Sequence, residues 1–403
     1  MTLIECFNHS LIENISVCLR LRPNKLILLG YAAEMAAPAK RYGTILRQRG
    51  LHTKVQLCDI HGKQAPQISG VLRNLVRAEP DCVIDLTDGD ETVVMAIGAL
   101  ICSLDNPRIC ALKYDGGHDD ITVLFGHLPA LGKPPVLSVS ELVSLHGGIN
   151  HPSSYQPPES VTAQHLAPLW EIVSRDPKAW NRSITVLAEI ESRSESKTEI
   201  SLSLSNLQDN IQNFHEKEAL LYSLLDLFRQ KRIIKDRSHD GNLRYTYTDP
   251  LFRYCTQKAG NVLEIKTLLE ARALLDKGKP FFNDCQTSVN IDWDGFLYDP
   301  AERVPETRNE VDIVLMHGTV PLFISCKNGN IGDEELYKLH TVACRFGGPH
   351  VRKMLIATDL DQKAPAANRA FSQRAWDMDI FLVTDAAELT RQEWQQTFLQ
   401  AVK

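Results

Sequence analysis

The chain has 403 residues, 43% of them hydrophobic, and a formal net charge of −6. That length exceeds one ordinary core, so two or three domains are expected, and the composition is that of a globular chain, not a disordered or fibrous one. The acidic balance excludes recognition of a polyanion by a global positive field and leaves only a local basic patch or a bound metal for that task. No run of eighteen apolar residues is present to span a membrane. Glu5 comes early, with no basic segment before a long apolar stretch, which argues against a signal peptide. Ten cysteines are scattered without a Cys-x-x-Cys pair or a Cys/His cluster at zinc spacing, as in a cytoplasmic protein with reduced thiols.

Over residues 1–150 strand and helix signals alternate. Lys25–Gly30 is a short apolar run, and a helical pattern follows through Arg49. His52–Cys58 reads as a strand, Ile68–Ala78 as a helix, Cys82–Leu86 as a strand and Glu91–Leu104 as an apolar helix. Strands are expected at Ile109–Tyr114, Ile121–Phe125 and Val136–Val139. Such alternation predicts a Rossmann-like parallel sheet, with any ligand bound beyond the carboxyl ends of its strands at the switch point. Thr87-Asp88-Gly89-Asp90 falls at that end of a strand. Free amides at the following helix start could take an anion, Gly89 would allow close backbone approach, and Thr87 could donate its hydroxyl. Gly30-Tyr31-Ala32 does not fit a G-x-G-x-x-G loop, which argues against a dinucleotide dehydrogenase. His118, in GGHDD, reads as a loop histidine.

Residues 151–255 read as a linker followed by a small module. Asn150–Pro177 is rich in Pro, Ser and His and is expected to be an excursion. Asn206–Lys231 has helical periodicity, and Arg232–Pro250 reads as a hairpin turning at Asp240-Gly241. Helices followed by a hairpin suggest a winged-helix-like module. Arg229, Lys231, Arg232, Lys235, Arg237 and Arg244 make it locally basic.

Residues 256–403 follow a different order: helix Val262–Lys277, strand Cys285–Leu297, a hairpin, helix Asp333–Phe346, strand Lys353–Thr358, helix Ala366–Trp376, strand Ile380–Val383 and helix Leu389–Val402. The hairpin lies in NEVDIVLMHGTVPLFISCKNGN, Asn309–Asn330. Gly318-Thr319 suits a type II′ turn, which sets His317 against Val320, Asp312 against Ser325 and Glu310 against Lys327. Directly opposed residues share a face, so Glu310, Asp312, Ser325 and Lys327 gather at one end, above Val314 and Phe323. Val311, Ile313, Leu315, Leu322 and Ile324 would fill the other face. Two carboxylates, a hydroxyl and an ammonium at a strand end suit a hard divalent cation and a phosphodiester.

This hairpin, in its helix–three strands–helix–strand setting, resembles the PD-(D/E)xK, or restriction-endonuclease-like, nucleases. The resemblance implies Asp312 and Glu264 as ligands of Mn2+ or Mg2+, completed by the Cys326 carbonyl, with Lys327 positioning or activating water. Ser325 stands where that family carries an acid, and Glu310 and Glu335 are candidates to replace it. The Thr87–Asp90 element, together with LSVSELVSLHGG at Leu137–Gly148, is similar to CARF domains, the Rossmann-like sensors of cyclic oligoadenylates in type III CRISPR defence. It implies activator contacts from Thr87, Asp88, Gly89, Asp90 and Tyr31.

The expected fold class is thus α/β: a Rossmann-like CARF domain over 1–150, a winged-helix-like linker module over 151–255 and a restriction-endonuclease-like α/β domain over 256–403. The implied protein is a cytoplasmic homodimer, a metal-dependent nuclease switched on by a cyclic oligoadenylate, with cyclic tetra-adenylate the expected ring. Its substrate would be single-stranded DNA or RNA, or plasmid DNA, with no membrane partner. The alternative is a transcriptional regulator, with the same sensor and an inactive nuclease-like domain.

Overall fold

A computed structural model describes residues 1–103, 108–151, 155–194, 196, 198–238, 241–293, 295, 308–329, 331–360 and 365–403. The N-terminal sheet is built from β1 (Thr2–Cys6), β2 (Lys25–Gly30), β3 (Lys54–Asp59), β4 (Cys82–Asp85), β5 (Ile109–Asp115) and β6 (Asp120–Phe125). Its helices are α1 (Leu11–Leu21), α2 (Ala32–Gln48), α3 (Ala65–Ala78) and α4 (Glu91–Ile101). The strand order is β3-β2-β1-β4-β5-β6, parallel except for the edge strand β6. Chain direction across the sheet therefore reverses between β1 and β4, which makes the carboxyl ends of those two strands the switch point. The expected Rossmann-like sheet is present. Its central strand β1 and the helix α1 fall in a stretch where the sequence had suggested no element.

Val136–Val139 is not a strand among the described residues. Ser138 instead caps α5 (Val139–Leu145): its hydroxyl accepts from the Glu141 amide at 3.2 Å while Glu141 accepts from the Ser138 amide at 2.8 Å. This reciprocal pair satisfies two backbone donors and starts a helix where apolar content alone suggested a strand. The short β7 (Ile149–His151) then pairs antiparallel with a strand of the C-terminal sheet, so the boundary expected at residue 150 falls inside a strand of the other domain.

The middle module holds α6 (Ala163–Arg175), α7 (Pro177–Glu191), β8 (Glu199–Ser203), α8 (Leu204–Asn210), α9 (Phe214–Gln230), β9 (Ile234–Ser238), β10 (Asn242–Tyr247) and α10 (Pro250–Cys255). The expected excursion Asn150–Pro177 therefore contains a helix, α6, which buries Leu166, Leu169 and Val173. The expected hairpin forms, in a sheet of order β8-β10-β9; of its turn, Asp240 lies outside the described residues. Buried Glu191 on α7 accepts hydrogen bonds at 2.6 Å from Tyr245, Tyr247 and Arg253, tying α7 to β10 and α10.

The C-terminal domain contains α11 (Asn261–Arg272), the two-residue strands β11 (Leu275–Asp276) and β12 (Lys279–Pro280), β13 (Asp284–Asp292), β14 (Arg308–His317), β15 (Val320–Lys327) and α12 (Asp333–Phe346). It ends with β16 (Arg352–Ala357), α13 (Pro365–Asp377), β17 (Ile380–Val383) and α14 (Arg391–Val402). The sheet order is β17-β16-β15-β14-β13-β7, with β15, β16 and β17 parallel. The turn falls where expected: His317 faces Val320, and Gly318 has φ 64°, a value a side chain would strain. The expected faces hold except at Val311. It packs with Val314 and Phe323 and not with Ile313, because the β14–β15 ladder runs from His317–Val320 only as far as Ile313–Ile324.

The two terminal domains share one core. A single apolar cluster runs from Leu3 and Leu112 through Leu142 of α5 to Val289, Val314 and Phe346. Polar contacts cross the same boundary, among them the Val139 amide to Asp284 at 2.8 Å and Glu13 of α1 to His350, after α12, at 2.6 Å. No helix among the described residues is long and apolar enough to cross a membrane.

Candidate functional sites

The first site is a cavity of about 510 Å3 at the switch point, bounded by Cys6–Ser10 after β1, Gly30 and Tyr31 after β2, and Asp88 and Asp90 after β4. Tyr31 is 42% exposed, lines the cavity and makes a T-shaped contact with the His61 ring. Lys63 brings a cationic group and His9 an imidazole, beside the acids Glu34, Asp88 and Asp90. Asp88 sits at φ 47°, and its carboxylate accepts from Ser10 at 3.3 Å.

Two of the expected contacts take other roles. Thr87 is buried. Its hydroxyl donates to Asp85 at 2.5 Å and accepts from the Tyr114 amide at 2.8 Å, so it braces the floor and does not face the cavity. Gly89 is packed against β1: a Cβ there would lie 2.9 Å from Cys6 Cβ. The α4 start is also partly occupied, because Asp90 takes the Thr92 amide at 2.9 Å. Asn8 and Ser10, unremarked in the sequence, complete the rim, and Asn8 Nδ2 holds the Thr87 carbonyl at 2.6 Å.

Beneath the floor, Glu5 and Asp85 are lateral partners on β1 and β4, both buried. Burial, and then the charge of Asp85, pushes Glu5 well above the usual carboxylate range. Burial also lifts Asp85 to about 6, although bonds from Thr87 pull the other way. Neither carboxyl oxygen of Glu5 has a hydrogen-bond partner among the described residues.

The second site lies where β14 and β15 end. Asp312 Oδ2 accepts from the Cys326 amide at 2.6 Å and from Ser325 Oγ at 3.2 Å, with Lys327 Nζ 3.7 Å away. The acid thus takes over a backbone donor where the strand ladder has stopped. Lys327 is held from the other side by Glu335 at 3.0 Å, and Glu335 also meets Lys338 at 2.9 Å. A cleft of about 90 Å3 is lined by Glu310, Asp312, Ser325, Lys327 and Glu335. Glu264, in the first turn of α11, does not line that cleft and approaches the cluster from its own helix. The Cys326 thiol is buried, 3.8 Å from the Thr267 hydroxyl, so only the backbone of Cys326 serves the cluster.

The electrostatics mark Glu264 and Asp312 as a strained pair. Burial, then the charges of Asp312 and Glu310, lifts Glu264 to about 8. Burial raises Asp312 too, although Lys327 and the two hydrogen bonds oppose it. Lys327 would be lowered by burial, but Asp312 and Glu335 raise it above its ordinary value. Glu335 would be lifted by burial, but Lys338 and Lys327 hold it below the usual range. Glu335 is therefore paired on both sides, whereas at Glu264 the charges of Lys258 and Lys327 are outweighed by burial, Asp312 and Glu310.

Among the described residues no three His, Cys, Asp or Glu side chains converge as a ready-made metal cage. Mg2+ is commonly bound by only one or two carboxylates plus waters and substrate phosphate. Glu264 and Asp312 fit that donor set, and a hard cation would offset the burial, and the lesser repulsion, that raise both.

The expected basic patch is exposed at Arg229, Arg232, Lys235 and Arg244, while Lys231 pairs with Glu171 at 2.5 Å. His118 is an exposed loop residue bound to Asp115 at 2.8 Å.

No protein-family model matches the sequence, and no curated protein is similar enough to count as a match. Solved structures do match. Protein VC1899 from Vibrio cholerae superimposes with a TM-score of 0.72 at 16% identity, covering 100% of this chain and 97% of its own. Can2 from Sulfobacillus thermosulfidooxidans, solved in complex with cyclic tetra-adenylate, superimposes with a TM-score of 0.65 at 16% identity over the same shares. The chain therefore shares the fold of these proteins along its whole length.

Proposed function

We propose that the chain is a metal-dependent nuclease of type III CRISPR defence, activated by a cyclic oligoadenylate and acting in the cytoplasm as a homodimer. The observation that carries this reading is one shared core joining a ligand-sized switch-point cavity to the Asp312–Lys327 cluster. The full-length likeness to Can2, which was solved with cyclic tetra-adenylate, supports that ring as the activator. A two-fold ring suits a two-fold pair of N-terminal domains, with Tyr31, Asp88 and the Asn8–Ser10 rim around it. Thr87 and Gly89 shape the floor.

At the second site Asp312 and Glu264 would hold Mn2+ or Mg2+, with the Cys326 carbonyl as a further oxygen. Such a cation, when bound, polarises the phosphodiester and lowers the pKa of the attacking water. Lys327, oriented by Glu335, places a positive charge beside the scissile phosphate. Ser325 and the Cys326 amide hold Asp312 in one orientation, so Ser325 supports the carboxylate and does not replace the missing acid. The substrate is a single strand of DNA or RNA, or a plasmid that is nicked.

The test is cleavage of labelled single-stranded DNA, single-stranded RNA and supercoiled plasmid with Mn2+, with and without cyclic tetra-adenylate. Activator-dependent cutting is expected, and Asp312→Asn should abolish it while still binding the ring. No cutting of any substrate, or a wild-type rate in Asp312→Asn, would overturn the assignment. Duplex binding without cutting would instead favour a transcriptional regulator, the role a winged-helix-like module alone would suggest.

A further inference from the structure

We infer that the groove between α7 and the carboxyl ends of β15 and β16 is a phosphate subsite, holding the nucleic-acid backbone beside the carboxylate cluster. The inference rests on the nuclease reading and adds where the strand runs. The groove has a volume of about 350 Å3, at the small end of ligand-sized pockets. It opens at the ends of two parallel strands, where open α/β sheets take their ligands.

Its floor begins two residues after Lys327. Gly329 has φ 122°, a conformation that favours glycine, and a Cβ there would lie 3.1 Å from Asn181 Nδ2. The glycine lets the chain turn closely against α7 at the floor of the groove. The wall is fixed by Asn328, which is bound from three directions. Its backbone carbonyl accepts from Asn181 of α7 at 2.8 Å, its side-chain Nδ2 donates to the Ala259 carbonyl at 3.1 Å, and its side-chain oxygen accepts from Thr358 at 2.5 Å. These bonds join the middle module, the loop before α11 and the end of β16 at one point, beside the helix that carries Glu264.

The roof is cationic. Lys178 and Arg182 stand four residues apart on α7, so they share a face, and both line the groove. Lys178 lies 3.9 Å from Asp359, with 61% and 45% of the two side chains exposed. An exposed pair this loose is weak, so a phosphate at the groove can compete with Asp359 for the ammonium. Two cations on one helix face would meet phosphate oxygens, contacts that read charge and not sequence.

The test uses the full chain in EDTA, so that no strand is cut, with cyclic tetra-adenylate present. Fluorescence anisotropy follows labelled single-stranded DNA and RNA across a salt series, for wild type and for Lys178→Ala/Arg182→Ala. Loss of two phosphate contacts should reduce the slope of log affinity against log salt by about 1.4. Affinity should fall on both strands alike, and in the metal-loaded assay KM should rise with kcat retained. Ring binding and melting temperature should stay at wild-type values, which separates lost contact from lost folding; Lys178→Gln/Arg182→Gln, which keeps hydrogen-bonding ends, should show the same reduced slope. If wild type binds strands and the variants match its affinity and slope, the subsite is overturned and the nuclease reading stands. If wild type binds no strand under any condition, both are overturned.

Discussion

Glu264 gives the most direct physical test of the second site, because its charge state answers to pH without any catalysis. Its carboxyl is raised to about 8 by burial and by the charges of Asp312 and Glu310. The folded protein therefore holds a proton on Glu264 across a window from about 4.5 to 8, where the unfolded chain has released it. A carboxyl raised in this way stabilises fully below its unfolded value, and that contribution is lost as pH climbs through the folded value. The slope is at most about 1.4 kcal/mol per pH unit. Relaxation and water entry around a partly exposed group leave on the order of 3 kcal/mol across the window. Glu264→Gln replaces the protonated acid by a neutral group of the same shape and removes the dependence. In EDTA the two proteins should melt together near pH 4, below the unfolded value, and part from there as pH rises. By pH 8.5 the variant should melt higher by about 3–6 °C, taking about 1–2 °C per kcal/mol for a chain of this length. Glu5 and Asp85 also titrate, but both proteins carry them, so they cancel in the difference. Mn2+ at pH 8.5 should raise the wild-type melting temperature and leave the variant nearly unmoved. Parallel melting curves across the pH range, or a gap that opens on the acid side, would refute the argument that Glu264 faces uncompensated negative charge.

Three other outcomes follow from single contacts. Glu13 raises His350 by a hydrogen bond across the domain boundary, and a raised histidine stabilises below its unfolded value and loses that effect as pH passes its folded value; Glu13→Gln should therefore melt below wild type at pH 6, with the difference shrinking by pH 9. Asp88→Asn keeps a residue tolerant of the left-handed backbone and removes one charge from an acidic cavity, so calorimetry should show cyclic tetra-adenylate binding about fourfold tighter. Ser325→Ala deletes one 3.2 Å bond to Asp312 while the Cys326 amide remains, so cleavage should fall by less than about tenfold and denaturant stability by about 1 kcal/mol.

Neighbouring residues alone specify the hairpin and which side chains meet at its end. Glycine before threonine at 318–319 specifies a tight turn, and a two-residue turn sets the register, so Asp312, Ser325 and Lys327 were bound to meet. The alternation of strands and helices before residue 130 likewise carried the Rossmann-like sheet. Tertiary structure decided where local signals were silent or misleading. The central strand β1 hides in TLIEC because Glu5 interrupts its apolar run, and only packing beneath the cavity explains a buried acid there. Thr87 read as a ligand donor, yet Asp85 and the Tyr114 amide claim its hydroxyl, a matter settled by β5, which lies more than twenty residues on. Glu335 reads as a substitute acid, and only the fold brings Lys327 and Lys338 together upon it and buries Glu264 facing Asp312 and Glu310. The shared core of the two terminal domains was equally invisible, because α5 and β7 are too short to announce which sheet they join. A turn is encoded by neighbours in the chain, whereas the charge state and exposure of a side chain depend on groups hundreds of residues away.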